Sequence, residues 1–319
     1  MSRYPDFVPQ GVIPAVLLPF HEDFSIDEAS FRAHLRDVRK VEGLSAITIN
    51  AHSTEVASCT LDEQRRVMEI AGEEIGGTLP IIHGVYADGS LQAARIARQA
   101  QAGGASALLV FPPAPFTLGQ SAAMALAHFK TIADATDLPL IVFQYPLATG
   151  QGYPAATLER LFDEVPTIRA IKDWTTQVPQ HERQIRALQG RKRPINVLST
   201  NSAWLLSSLV LGCNGLLSGS GSVIADLQAK LFRAVKANDL AEARVLNDRI
   251  YPMAQVFYAD PFIDMHNRMK EALVLLGKLP RAVVRPPLVK IGEPEIARIK
   301  EALIEAGLLG SGAVKRDAA

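Results

Sequence analysis

The segment IRAIKDW puts Lys172 at the end of an apolar run. Alternation along a strand places Ile168, Ala170 and Lys172 on one face. Desolvation among apolar neighbours lowers a lysine pKa from its usual value of about 10.4. The neutral amine can then attack a ketone and form a Schiff base, whose iminium is the electron sink that aldol cleavage or dehydration of a 2-oxo acid needs. The competing reading is a strand-end lysine in a salt bridge with Asp173 or another carboxylate.

Other stretches carry groups that could serve such a reaction. NAHSTE, residues 50–55, sets small polar residues on a strand-to-helix loop. Its backbone N–H groups can hold a carboxylate, and its side chains can equally cap the next helix. In VFQYPLATG, residues 142–150, Pro146 stops a strand on which Ile141, Phe143 and Tyr145 share a face. Tyr145 is thus a candidate hydroxyl or a pocket-lining aromatic. His52 has a side chain that titrates near neutrality, as a general acid–base should, or is hydrogen-bonded into its loop. The run SGSGS, residues 218–222, offers either an anion nest or a tight turn. Asp260, Asp264 and His266 lie together in YADPFIDMH, but helical spacing puts Asp264 and His266 on different faces. They are read as helix-capping and solvent-facing residues, and no metal is expected.

Such residues need elements that bring them to one place. Apolar β-rich runs at 11–20, 46–50, 79–85, 107–112, 138–145, 168–173, 195–200 and 215–219 alternate with amphipathic helical runs. Continuous apolar strands of this kind suit a parallel sheet covered on both faces. Helical patterns span 27–41, 61–75, 90–102, 120–135, 155–164, 179–188 and 202–211, and Thr60 with Glu63 forms a capping-box signature. The alternation predicts a (β/α)8 TIM barrel over 1–222, with a C-terminal helical extension over 223–319 packed on it. A doubly wound open sheet is the alternative, but no early G-x-G-x-x-G supports it. In a barrel the active site sits at the C-terminal strand ends, where Lys172, His52, Ser53, Thr54, Phe143 and Tyr145 all fall.

The composition, 48% hydrophobic and 21% charged, is that of an ordinary globular chain. Lys+Arg and Asp+Glu both count 33, so no basic surplus argues for nucleic acid or an anionic membrane. The two cysteines, Cys59 and Cys213, form neither a disulfide framework nor a zinc spacing. They fit a reducing compartment, and with no signal-like or membrane-length apolar run the expectation is a cytoplasmic protein. The closing GSGAVKRDAA is small and polar, as a frayed end would be.

Together the motifs resemble the dihydrodipicolinate synthase / N-acetylneuraminate lyase family of Schiff-base (β/α)8 enzymes. AHSTE stands where that family carries G-T-T-G-E or G-S-T-G-E. FQYPLATG stands where it carries Y-N-x-P before T-G or S-G, and RAIKD where it carries its lysine. QAGGASALLVFPP, GCNGLLSG and RPPLVKIGEPEIARIKEALIEAGLL extend the resemblance over 11–309. It implies that Lys172 is the Schiff-base lysine. It also implies that backbone and hydroxyl at Ser53, with Thr54, bind the pyruvoyl carboxylate, and that the Leu217 carbonyl faces the lysine. Thr149 would touch a substrate hydroxyl or carboxylate.

The departures are equally informative. Phe143 takes the place of the family's catalytic tyrosine, and His52 stands where the relay has Thr or Ser. Ala114 replaces the tyrosine that the synthases share between subunits, and Ala148 the arginine that grips the second substrate. PLATG looks more like the lyase branch. The reading is a lyase acting on a pyruvate-type 2-oxo acid through Lys172, with His52, Tyr145 or water moving protons and no metal or organic cofactor. The alternatives are 4-hydroxy-tetrahydrodipicolinate synthase and a non-catalytic 2-oxo acid binding or sensor protein. The partner expected is the small 2-oxo acid, with no nucleic acid or membrane, and the resemblance implies a homotetramer or homodimer.

Overall fold

A computed structural model describes residues 4–310; the expected frayed end lies, from residue 311 on, outside the described residues. The strands are β1 (Gly11–Pro14), β2 (Ile47–Ile49), β3 (Ile81–Val85), β4 (Ala107–Val110), β5 (Leu140–Gln144), β6 (Ile168–Asp173), β7 (Asn196–Ser199) and β8 (Gly215–Ser218). They form one sheet in the order β1-β8-β7-β6-β5-β4-β3-β2, every pair parallel. Parallel bridges Val12 to Leu44 and Ala15 to Thr48 join its two ends, so the sheet curls into a (β/α)8 barrel. The first strand is shorter than the expected 11–20. Beyond the Val16 N–H bond to Thr48 the chain leaves the ladder, while residues 15–20 stay buried.

The helices between strands are α1 (Glu28–Val38), α2 (Leu61–Glu74), α3 (Ser90–Ala102), α4 (Ala122–Ala133), α5 (Ala155–Glu164), α6 (Val178–Gln189) and α7 (Leu205–Val210). The capping box at Thr60 forms: its hydroxyl accepts from Glu63 N–H at 3.2 Å, and Glu63 accepts from Thr60 N–H at 2.8 Å. The expected helix 202–211 divides into a 3₁₀ turn, Ser202–Trp204, and α7. Then come α8 (Gly221–Lys236), α9 (Leu240–Phe257), α10 (Met265–Leu275) and α11 (Glu293–Glu305). No described helix is long and apolar enough to cross a membrane.

Two apolar layers follow from strand alternation. Ile13, Ile82, Leu109, Ile141, Phe143, Tyr145, Ala170, Leu198 and Leu217 fill the barrel interior. Val12, Leu108, Val110, Leu140, Val142, Ile171 and Val197 point outward and pack with the helices. The shared face of Ile141, Phe143 and Tyr145 is therefore the inner one. On β6 the face is shared only by Ala170 and Lys172, because Ile168 packs with the outer layer. An irregular register opposite Leu140 and Ile141, whose partners are Ile168 and Ala170, breaks the alternation there.

Candidate active site

β5 and β6 run side by side with Phe143 opposite Lys172. Lys172 is only 5% exposed, and its Nζ lies over the Phe143 ring, 3.9 Å from the centroid. Among the described residues no carboxylate forms an ion pair with it. Burial lowers its pKa from 10.5 to about 7, so an appreciable neutral fraction exists at neutral pH. The ring face replaces part of the stabilisation that water would give to a cation at this point.

The salt-bridge reading of the sequence fails because Asp173 turns to the other side of β6. Its Oδ2 lies 2.6 Å from His181 Nδ1 on α6, and its Oδ1 accepts from Thr175 N–H at 2.9 Å. His181 Nε2 lies 2.6 Å from Ser208 Oγ on α7. Burial alone would depress His181, but the Asp173 hydrogen bond and charge outweigh it and raise its pKa from 6.5 to about 9. Asp, His and Ser here have the order of a nucleophilic triad. All three side chains are buried, however, and none of them lines the cavity described below. They anchor the strand that carries the lysine.

After β2 the chain makes a 3₁₀ turn, His52–Thr54, and then a left-handed Glu55 (φ 51°, ψ 42°). Thr54 does not offer its N–H outward, because it donates to Ala51 O at 3.1 Å; its hydroxyl donates to the same oxygen at 2.8 Å. Ser53 differs: its Oγ is buried and finds no protein partner. A buried orphan hydroxyl beside the lysine suits a carboxylate oxygen. Glu55 does not cap the following helix as expected. Its carboxylate receives Lys270 Nζ from α10 and accepts Arg285 N–H at 2.9 Å, so the C-terminal helices hold this turn in place.

His52 and Tyr145 meet: Tyr145 Oη lies 2.8 Å from His52 Nε2. His52 packs against Phe111 and Phe143, with ring centroids 4.8 and 5.7 Å away. Burial, and then the Lys172 charge, lower its pKa from 6.5 to about 3. His52 is therefore a neutral imidazole rather than the near-neutral titrating group the sequence suggests. The tautomer of this neutral ring sets which of the two atoms donates in the bond. Burial raises the Tyr145 pKa, which keeps its hydroxyl protonated. His52 lines the cavity and Tyr145 stands behind it.

That cavity, about 330 Å³, is lined by Lys172 with Ala51, His52, Ser53 and Phe143. Trp174, Tyr258, Phe262 and His266 also line it. Thr149 is not brought to it; it is exposed and closes its own turn, donating to Pro146 O at 2.7 Å. Leu217 contributes its side chain to the barrel interior. The hydroxyls of 218–222 are turned inward. Ser222 Oγ accepts Leu17 N–H at 2.9 Å and lies 2.7 Å from His34 Nε2, while Ser220 Oγ receives Gln228 Nε2 at 3.0 Å.

His266 overturns the reading of YADPFIDMH as solvent-facing. It is buried and lines the cavity, because α10 lies across the barrel mouth. His266, Met269 and Leu273 recur at spacings of three and four, but α10 is buried on every face over 266–273, so that spacing alone does not mark His266 as inward. Trp174 and Phe262 carried no signal either, since their stacking at 5.1 Å joins segments far apart in sequence.

The family model described as dihydrodipicolinate synthetase matches residues 8–306. A 4-hydroxy-tetrahydrodipicolinate synthase of Sphingopyxis alaskensis is 31% identical over 302 residues, covering 94% of this chain and 99% of that protein. YagE of Escherichia coli K12, provisionally named a 2-dehydro-3-deoxy-D-gluconate aldolase, is 26% identical over 294 residues, covering 92% and 95%. The crystal structure of YagE in complex with pyruvate is similar with a TM-score of 0.86 at 26% identity, covering 94% of this chain and 99% of that one. The dihydrodipicolinate synthase of Aquifex aeolicus, at 24% identity and a TM-score of 0.85 over 94% and 99% of the two chains, shares the fold. With the match spanning barrel and C-terminal helices alike, the chain belongs to the dihydrodipicolinate synthetase family.

Proposed function

We propose that the protein is a class I lyase that forms or cleaves a carbon–carbon bond of a pyruvate-type 2-oxo acid through an imine on Lys172. One observation carries this reading: the Lys172 amine is buried at a cavity wall, has no carboxylate partner among the described residues, and has its pKa lowered to about 7. Neutral Nζ adds to the C2 carbonyl, and loss of water gives the iminium. The Phe143 face beneath Nζ stabilises that cation. Ser53 receives the carboxylate. Loss of a C3 proton gives an enamine, which adds to an aldehyde carbon; the new oxyanion takes a proton, and water releases the product and the amine. The Tyr145–His52 pair conveys these protons, in place of the tyrosine that Phe143 displaces.

Borohydride reduction in the presence of pyruvate tests the reading. The expected result is a reduced pyruvate adduct on the peptide containing Lys172, absent from Lys172→Ala. A folded protein that yields no adduct would mark a binding or sensor protein instead. Adduct formation together with rapid turnover of aspartate semialdehyde would favour the synthase, against the departures at Ala114 and Ala148.

A further inference from the structure

We infer that the second reactant is an uncharged aromatic aldehyde, seated between the Lys172 adduct and the wall made by Trp174, Phe262 and Tyr258. This rests on the Schiff-base reading above and specifies its substrate class.

Charge gives the first argument. Among the described residues that line the cavity there is no arginine, aspartate or glutamate, and Lys172 is its only lysine. His52 is lowered to about 3, and His266 lies well below 6.5, in both cases chiefly through burial. Both rings are therefore neutral. Once Lys172 is bonded to the first reactant, a second carboxylate would enter an apolar site with no counter-ion of its own, which is strongly unfavourable.

Hydrogen bonding gives the second. A polyhydroxylated aldehyde needs a row of available donors and acceptors. Of the polar side chains that line the cavity, Asn201, Ser202 and Thr176 are already engaged within the protein, while Thr200 adds one hydroxyl. Asn201 uses both ends of its amide, donating to Asp173 O at 3.1 Å and accepting Thr176 N–H at 3.3 Å. Ser202 donates to Tyr258 Oη at 3.1 Å, and that oxygen also accepts Ser220 N–H at 3.3 Å. Thr176 donates to Thr175 O at 2.6 Å. His266 is different, because no hydrogen bond from another described residue holds its ring. Its Nε2 would lie 3.2 Å from a Cβ at residue 219, so Gly219 leaves the imidazole room. Two such groups, His266 and Thr200, suit a carbonyl and at most one further hydroxyl, not a chain of them.

Shape gives the third. Trp174 and Phe262 stack at 5.1 Å with planes 16° apart, and Phe262 and Tyr258 at 5.8 Å and 27°. Phe143 continues the aromatic surface from Trp174, with its centroid 6.5 Å from it. A flat apolar group meets complementary rings on such a wall, by stacking or edge-to-face contact. In the forward direction the enamine C3 bonds to the aryl aldehyde carbon, the aldehyde oxygen takes one proton, and iminium hydrolysis releases a 4-aryl-4-hydroxy-2-oxobutanoate. Pyruvate plus aldehyde account for every atom of that product.

The test gives the wild-type enzyme pyruvate with benzaldehyde, D-glyceraldehyde or glyoxylate, after borohydride trapping has been scored separately. The expected result is kcat/KM for benzaldehyde about a hundredfold above either competitor. Phe262→Leu should shrink that preference about tenfold. Trapping on Lys172 combined with equal or better use of glyceraldehyde or glyoxylate overturns the aryl assignment and leaves the Schiff-base reading standing. Trapping with no turnover of any aldehyde also overturns it. Failure to trap pyruvate removes both. The wild-type comparison decides the matter even if the variant does not fold.

Discussion

Lys172 and Asp173 are neighbours on β6, both buried, and they face opposite sides of the barrel wall. Lys172 looks inward at an aromatic ring and the cavity, with its pKa lowered to about 7. Asp173 looks outward, 2.6 Å from His181, whose pKa is raised to about 9. Burial disfavours charge at both places. On the outer side an opposite charge and fitted hydrogen bonds overcome it, and the result is a rigid anchor. On the inner side nothing overcomes it, and the result is an amine that gives up its proton. One strand thus sets a paired charge directly behind an unpaired, readily deprotonated amine.

The sharpest way to break that contrast is at the lysine. Lys172→Ala should lower kcat on the order of 10⁴-fold or more, measured with the preferred aldehyde. Lys172→Met should be as inactive and yet more stable by about 2 kcal/mol at pH 7 in urea unfolding, because it removes a buried cation without a carboxylate partner. The lysine's folded pKa lies below its unfolded one, so its penalty is full below pH 7 and fades as pH rises towards 10.5. The stability gain of the Met variant should shrink over the same range. An active Lys172→Ala enzyme would end the proposed chemistry.

How far this contrast could be read from the sequence depended on how local its causes are. The inner face of β5 was legible because regular alternation carries Ile141, Phe143 and Tyr145 without interruption. Lys172 was legible as inward-facing through Ala170, while Ile168 was misassigned because a register irregularity leaves no mark in the residue types. The Asp173–His181 pair was not legible, since α6 must first dock before residues eight apart can meet. The same holds for Glu55, whose partners Lys270 and Arg285 arrive from the C-terminal helices. His52 was found by its place at a strand end, but its charge state was not, because burial depends on rings from three other strands or their ends.

A second, smaller effect sharpens the inner half of the comparison. Tyr145→Phe removes the hydroxyl hydrogen-bonded to His52 and should lower kcat about a hundredfold, with pyruvate trapping on Lys172 retained. His52→Gln should cost a similar factor, and the double variant little more than either alone, since the two groups act through one hydrogen bond. Additive losses in that cycle would show that they serve separate steps. The pH–rate profile should lack a limb belonging to His52 near pH 6.5, because the imidazole is already neutral there.

The last expected effect is on stability and leaves the chemistry untouched; it tests the outer half. Asp173→Asn keeps the shape of the anchor but removes its negative charge, and should cost about 3 kcal/mol of stability near pH 6. The sign with pH is fixed by His181, whose folded pKa of about 9 lies above its ordinary 6.5. The stability it contributes is full below pH 6.5 and is lost as pH rises through 9, at up to about 1.4 kcal/mol per pH unit. The gap between wild type and Asp173→Asn should therefore narrow steadily from pH 6.5 to 9, as followed by urea midpoints at constant ionic strength. A gap that stays constant would mean that His181 is neutral in the folded protein. The outer side of β6 would then be held by neutral hydrogen bonds alone, and the electrostatic contrast with Lys172 would be lost.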